Sequence, residues 1–172
     1  MGKAKLQAEL GLNSKEEAEE LFNQYHQNVP FVKELMNSTS RHAQLSGSIG
    51  TLLGRRCRFN KWEPKSFGMQ KPMDFNEAVS TYKIEHIRRA FTYKALNKLI
   101  QGSAADMTKK AMVDLYKEGI VPHIQIHDEL DISVKDNQEA KRIIDIMENA
   151  VSLKVPNKVD YEVGESWGDI YE

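Results

Sequence analysis

The sequence predicts an α+β layer: one pair of strands and a late strand, backed by helices. Three observations carry this expectation. Residues 124–134 read Ile-Gln-Ile-His-Asp-Glu-Leu-Asp-Ile-Ser-Val, with apolar residues at 124, 126, 130, 132 and 134. That is the period-two alternation of two half-buried strands. Helical signals at 14–46, 76–117 and 137–151 supply the backing. Residues 159–164 make a last strand, an order that suits an α+β layer rather than a doubly wound sheet.

The elements follow in order. The opening reads as a helix ending at Gly11. Ser14-Lys15-Glu16-Glu17 is a capping-box signature, with Ala18, Leu21, Phe22 and Tyr25 as the apolar stripe behind it. Pro30 starts another helix and carries Phe31, Leu35 and Met36 toward the core. Gly47, Gly50 and Gly54 punctuate a short strand region. Residues 60–76, with Pro64, Gly68 and Pro72, read as a loop. Helices are expected over 76–92 and 93–117, the second broken or tightened near Gly102. An amphipathic helix over 137–151 turns Ala140, Ile143, Ile144 and Met147 inward.

A chain of 172 residues can bury a moderate core as one domain. Net charge is only -1, but its distribution is uneven. Between 41 and 110, fourteen Lys and Arg stand against five Asp and Glu; between 111 and 172, six stand against fourteen. A basic half beside an acidic half suits contact with phosphates on one side and metal on the other; two differently charged solvated surfaces give the same pattern. The single cysteine, Cys57, excludes an intramolecular disulfide, fits a reducing compartment and reads as strand filler. The polar start does not resemble a signal peptide, and no apolar run reaches the length of a membrane helix.

Two clusters invite chemistry. Asp128 falls in the apolar register of the hairpin, where an ionised carboxylate needs compensation, and a divalent metal is one compensator. An ordinary hairpin with a polar His-Asp-Glu tip is the alternative, although the tip lacks the Gly or Asn that a tight primed turn prefers. Arg55, Arg56, Arg58 and Lys61, interleaved with Phe59 and Trp62, form a basic cluster. Such a cluster can grip a phosphate backbone, or charge can protect a strand edge. Histidines 26, 42, 86 and 123 show no metal-ligand spacing and read as surface or loop residues.

Upstream of the tip, Asn97, Gln101, Gly102, Ser103, Ala104, Ala105 and Asp106 lie in one helical run, followed by Ile126, His127, Asp128 and Glu129. This order and separation resemble family A DNA polymerases, the DNA polymerase I type. There an N-x-x-x-Q-G-[ST]-A-A-D helix precedes the V-H-D-E hairpin called motif C. The likeness covers nearly the whole chain. Thr51 to Arg56 resembles the family's T-L-x-G-R-R segment, 14–41 the helices behind the nucleotide-binding helix, and Val163 to Trp167 its terminal V-G-x-x-W strand.

The resemblance implies a partial polymerase palm with an antiparallel motif C hairpin, plus helices from the rear of the fingers. By this reading 1–46 are rear-of-fingers helices, 47–92 a basic strand, loop and connecting helix, and 93–172 the palm segment. Asp128 is implied as a catalytic metal ligand, Glu129 as an auxiliary one, and His127 as a positional or a structural residue. Two Mg2+ ions are implied, their site completed by an aspartate from a partner. Asn97 and Gln101, one helical turn apart, are implied as amide donors to the DNA minor groove, where every base pair offers an acceptor; a solvated helix face is the alternative. Ala104 and Ala105 would pack tightly under the sheet. Tyr93 stands where the family usually has an arginine, and neighbouring Lys94 is the candidate substitute. Arg55 and Arg56 complete the implied DNA-binding set.

Motif A with its first catalytic aspartate, the motif B lysine, arginine and tyrosine, and the thumb have no counterpart. Asp160-Tyr161-Glu162 only mimics motif A, in the wrong order. The expectation is the C-terminal subunit of a split, phage-type DNA polymerase, starting just past motif B and ending at a natural C-terminus. It would act in a bacterial or phage-infected cytoplasm, on primer-template DNA and dNTP, with an N-terminal chain carrying motifs A and B. A non-catalytic DNA-binding or assembly module, or a truncated remnant, is the alternative.

Overall fold

The computed structural model describes residues 3–66 and 71–170. Met1, Gly2 and the loop residue Gly68 lie outside them. The chain divides into two compact units, Met1–Gly50 with Arg56–Leu99, and Thr51–Arg55 with Ile100–Glu172.

The first unit opens with α1 (Lys3–Leu10) and α2 (Lys15–Asn28). Ser14 caps α2 as its sequence predicts, its hydroxyl accepting from the Glu17 N–H at 3.1 Å. Glu17 in turn accepts from the Asn13 N–H at 3.3 Å, so the reciprocal bond of the capping box lands one residue early. Helix α3 (Pro30–Ser46) starts with Pro at its first turn and ends at Gly47, whose φ of 76° is the left-handed cap that glycine adopts freely. The core sits under its C-terminal half. Ala43, Ile49, Phe59 and Ala95 form the cluster, with Cys57 and Leu99 packed against it. Phe31, Leu35 and Met36, expected to face a core, are exposed: the buried residues of α3 are Thr39 and Ala43 only. On α2 only Ala18 is buried, while Leu21 and Tyr25 face outward.

Strands β1 (Ser48–Gly50) and β2 (Arg56–Arg58) pair antiparallel, Ile49 opposite Cys57, so both point into that cluster while Arg56 and Arg58 stay outside. The expected loop over 60–76 and helix over 76–92 are corrected. Trp62–Pro64 is a strand, β3, and Ile87–Arg89 is its antiparallel partner, β4; Phe75–Thr81 is α-helical (α4) and Ile84–His86 a single 3-10 turn. Cross-strand packing overrides helical spacing here. Glu63 lies opposite Arg88 and bonds it at 2.9 Å, and the Arg89 guanidinium lies 4.7 Å from the Trp62 ring. Arg89 also donates to the Phe59 carbonyl at 2.9 Å.

Helix α5 (Ala95–Lys117) runs unbroken through Gly102, where a break or tightening was expected. It closes on Gly119 at φ 78°, with the Ile120 N–H returning to the Leu115 carbonyl at 2.9 Å. In the second unit β5 (Ile124–Ile126) and β6 (Glu129–Asp131) form the expected hairpin, Ile126 opposite Glu129. Helix α6 (Asn137–Asn149) begins at Asp136, whose carboxylate accepts from the Gln138 and Glu139 N–H groups, both at 2.8 Å. Ala140 and Ile143 are buried and Ile144 and Met147 half-buried, as their spacing predicts.

The late strand is not formed. Residues 159–164 are unpaired coil, and the Val159 N–H is taken by the Glu148 carboxylate at 3.1 Å. A strand exists only where a neighbour receives its backbone groups. Among the described residues the only strand pair of this unit is the three-residue hairpin. The fold class holds: helices with small antiparallel hairpins, an α+β arrangement.

Candidate functional site

The hairpin tip is built by a two-residue loop, His127-Asp128, between the paired Ile126 and Glu129. His127 has φ 53°, a left-handed conformation that non-glycine residues adopt at a cost. The Gln125 amide donates to the His127 carbonyl at 3.1 Å and braces the turn. At the hairpin base the His123 N–H donates to the Asp131 carbonyl at 2.8 Å, and the His123 ring shares a 3.0 Å hydrogen bond with Ser133.

His127, Asp128 and Glu129 are all exposed. This corrects the expectation that Asp128 faces the core, because period-two parity stops at the turn and residue 128 belongs to the loop. Asp128 and Glu129 therefore project adjacent carboxylates into solvent. Among the described residues no three His, Cys, Asp or Glu gather as a metal-binding group. Two exposed carboxylates still suit Mg2+, a hard cation that takes one or two of them and fills its shell with water and phosphate oxygens. Sequence reasoning passed over Asp131, on the same strand face as Glu129, whose Oδ2 is buried without a hydrogen-bond partner.

On α5 Asn97 and Gln101 are both exposed, and neither side chain is hydrogen-bonded among the described residues. Ile100 is 54% exposed, and Ala104 and Ala105 are exposed too, which corrects the expectation that the alanines pack under the sheet. The Lys94 ammonium lies 5.2 Å from the Phe91 ring and 5.6 Å from that of Tyr93. Phe91 itself has φ 63°. Arg56 is exposed on β2 and makes no side-chain hydrogen bond or ion pair among the described residues.

Arg55 is different. Residues 51–55 form a closed turn in which the Thr51 N–H donates to the Arg55 carbonyl at 2.9 Å and the Arg55 N–H to the Thr51 hydroxyl at 3.0 Å. This turn is fastened to α5. The Thr51 hydroxyl donates to Asp106, Arg55 Nε donates to Asp106 at 2.7 Å, Arg55 Nη2 to the Gly102 carbonyl at 2.9 Å, and the Leu52 N–H to the Ser103 hydroxyl at 3.0 Å. Asp106 is 7% exposed, and its carboxyl is held below the usual range by the Thr51 hydrogen bond, against the opposing effect of burial, with Arg55 adding to the lowering. The sequence signal was available: 95, 99, 102 and 106 share the inward stripe of α5, and 106 is the charged member.

The family-model comparison matches DNA polymerase family A over residues 1–169. A DNA-directed DNA polymerase of Pseudomonas phage M6 is 38% identical over 152 residues, covering 88% of this chain and 20% of that protein. DNA polymerase I of Bacillus caldotenax is 34% identical over 165 residues, covering 91% and 17%. Among solved structures, the POL domain of Pol1 from M. smegmatis, in complex with DNA primer-template and dNTP, superposes with a TM-score of 0.73 at 28% identity. That match covers 99% of this chain and 28% of that one. The fold is that of a segment of a polymerase palm and fingers. The chain belongs to DNA polymerase family A and spans about one fifth of the length of the curated relatives it matches.

Proposed function

We propose that this chain is a working part of a template-dependent DNA polymerase, contributing the motif C hairpin and the duplex-sensing helix of a nucleotidyl-transfer site. The observation that carries the reading is the hairpin tip, where a left-handed His127 presents two solvent-facing carboxylates, Asp128 and Glu129. A strained two-residue turn that spends conformational energy to expose paired acids fits a functional site.

In the proposed reaction the oxygen of a primer 3′ hydroxyl attacks the α-phosphorus of a dNTP, a new phosphodiester forms, and the bond to pyrophosphate breaks. Asp128 would hold Mg2+, with Glu129 auxiliary, and the metal would supply charge stabilisation to the transferring phosphoryl group. Asn97 and Gln101 donate to minor-groove acceptors, sensing base-pair geometry without reading sequence. Arg56 and Lys94 meet backbone phosphates, and His127 lies against the primer end.

The carboxylate that completes the metal site comes from motif A, and that motif, motif B and the thumb are polymerase segments beyond these 172 residues. The likeness to a phage polymerase supports a phage-type enzyme. The test is to recover the tagged chain from its native host or infected extract and assay Mg2+-dependent primer extension. Extension that requires polypeptide beyond these 172 residues, in the same chain or a co-purifying one, supports the reading; efficient extension by the 172 residues alone overturns it. A complex that binds DNA but never extends a primer would point instead to an assembly module.

A further inference from the structure

We propose that Arg55 is a positioning residue for Gln101 and not a phosphate contact: with Thr51 and Asp106 it clasps one turn of α5 and so fixes where Gln101 stands. The inference rests on the reading of Gln101 as a minor-groove donor. The clasp lies within one compact unit and engages α5 on the C-terminal side of Gln101: at the Gly102 carbonyl, the Ser103 hydroxyl and both carboxylate oxygens of Asp106. Two of the guanidinium's three nitrogens are committed to it, and the positive charge lies against a carboxylate that is itself 7% exposed. A phosphate competing for Arg55 would strip Asp106 of its ion-pair partner. Gly102 completes the fit, since a Cβ there would stand 2.8 Å from Thr51 Cγ2. Successive helical residues turn by about 100°, so Gln101 looks away from the face that Gly102 and Asp106 give to the clasp. Arg55 therefore acts on the far side of the helix from the groove that Gln101 would read.

A charge that meets a phosphate and a fork that holds a helix respond differently to Arg55→Lys. The ammonium keeps the charge but cannot span Asp106 and the Gly102 carbonyl together. Binding of a fluorescent primer-template duplex would be followed by anisotropy across a salt series for the whole chain and for Arg55→Lys, Arg55→Gln, Gln101→Ala, Thr51→Val, and Gln101→Ala combined with either Arg55 substitution. Thermal melts would accompany each. A positioning role predicts that Arg55→Lys and Gln101→Ala each weaken binding roughly fivefold, about the effect of one hydrogen bond. Arg55→Lys combined with Gln101→Ala is then no weaker than Gln101→Ala alone, and its salt slope is unchanged. Thr51→Val, which opens the same clasp without altering a charge, reproduces the loss and covers the case in which Arg55→Lys fails to fold. The proposal is overturned if Arg55→Lys or Thr51→Val binds as the parent does. It is also overturned if Arg55→Gln adds to Gln101→Ala and lowers the salt slope by about one phosphate's share, ~0.9. Gln101→Ala binding like the parent, or a parent chain that binds no duplex, overturns the underlying reading of α5 and the proposal with it.

Discussion

Thr51 and Asp106, 55 residues apart in sequence, are joined by a hydrogen bond in which the Thr51 hydroxyl donates to a buried carboxylate. The same hydroxyl accepts the Arg55 N–H at 3.0 Å, so one side chain closes its own turn and ties that turn to α5. Threonine is needed twice, for its oxygen and for the methyl that rests where Gly102 has no side chain. Two predictions follow directly from this geometry.

Gly102→Ala will destabilise the protein, although alanine is the better helix former. Propensity offers about 1 kcal/mol in its favour. The new Cβ would meet Thr51 Cγ2 at 2.8 Å, and Thr51 is held by Asp106 and cannot swing aside. Overpacking of this kind costs ~1–3 kcal/mol, so the clash wins. Thermal unfolding should fall by a few degrees, about 2–4 °C per kcal/mol at this size. Adding Thr51→Ser, which removes the methyl and keeps the hydroxyl, should restore most of the loss.

Acid sensitivity follows from the lowered carboxyl of Asp106. A carboxyl whose folded value lies below its unfolded value contributes stability that is complete above the ordinary carboxylate range. That stability is lost as pH falls through the depressed value. Glu148, lowered by the Val159 N–H and then by Lys158, acts in the same sense. The loss should therefore be confined to pH below about 4. Asp106→Asn should lower stability at neutral pH and flatten the acid limb of a denaturation series; an acid limb as steep as that of the parent would remove Asp106 from this role.

Much of this was legible in the sequence, and the failures share a cause. Ser14, Pro30 and the alternation at 124–134 report local rules that hold without a partner: an N-cap, a first-turn proline, a hairpin. The strand at 87–89 was hidden because Ile84, Ile87 and Phe91 also fit helical spacing. What decides against helix is β3, with Glu63 and Trp62 waiting for Arg88 and Arg89. Residues 159–164 err in the opposite direction, carrying a strand pattern with no ladder to join. Phe31, Leu35 and Met36 mark a helix stripe correctly but not what lies beneath it. At the hairpin tip one orientation was wrong: alternation counted through the turn pointed Asp128 inward, whereas it is exposed beside a left-handed His127.

Gly47 is the most exacting position of the first unit. A side chain there would take on a left-handed backbone at φ 76° and place its Cβ 2.7 Å from Arg89 Cζ. Arg89 cannot yield freely, being stacked on Trp62 and bonded to the Phe59 carbonyl. Gly47→Ala should cost at least ~1–2 kcal/mol from the backbone alone, measurable by chemical denaturation. A neutral result would show that the α3 cap and the Arg89 contacts rearrange independently.

Arg56, exposed on β2 and with no side-chain partner among the described residues, is the clean test of a phosphate contact. Arg56→Ala should leave the melting temperature unchanged and reduce the salt dependence of duplex binding by about 0.9 in slope. Asn97→Ala should weaken binding with no change in slope, because an amide carries no charge. The two signatures separate backbone contact from groove contact.

The central claim is that Asp128 is a catalytic carboxylate presented by the hairpin turn, and Asp128→Asn in the assembled, primer-extending complex tests it most directly. The substitution keeps size and polarity and removes the charge that a divalent cation needs. The account predicts that the complex still assembles and still binds primer-template while extension falls by at least about a hundredfold. Extension at the parental rate with Asn at position 128 would contradict it and leave the hairpin tip a structural feature.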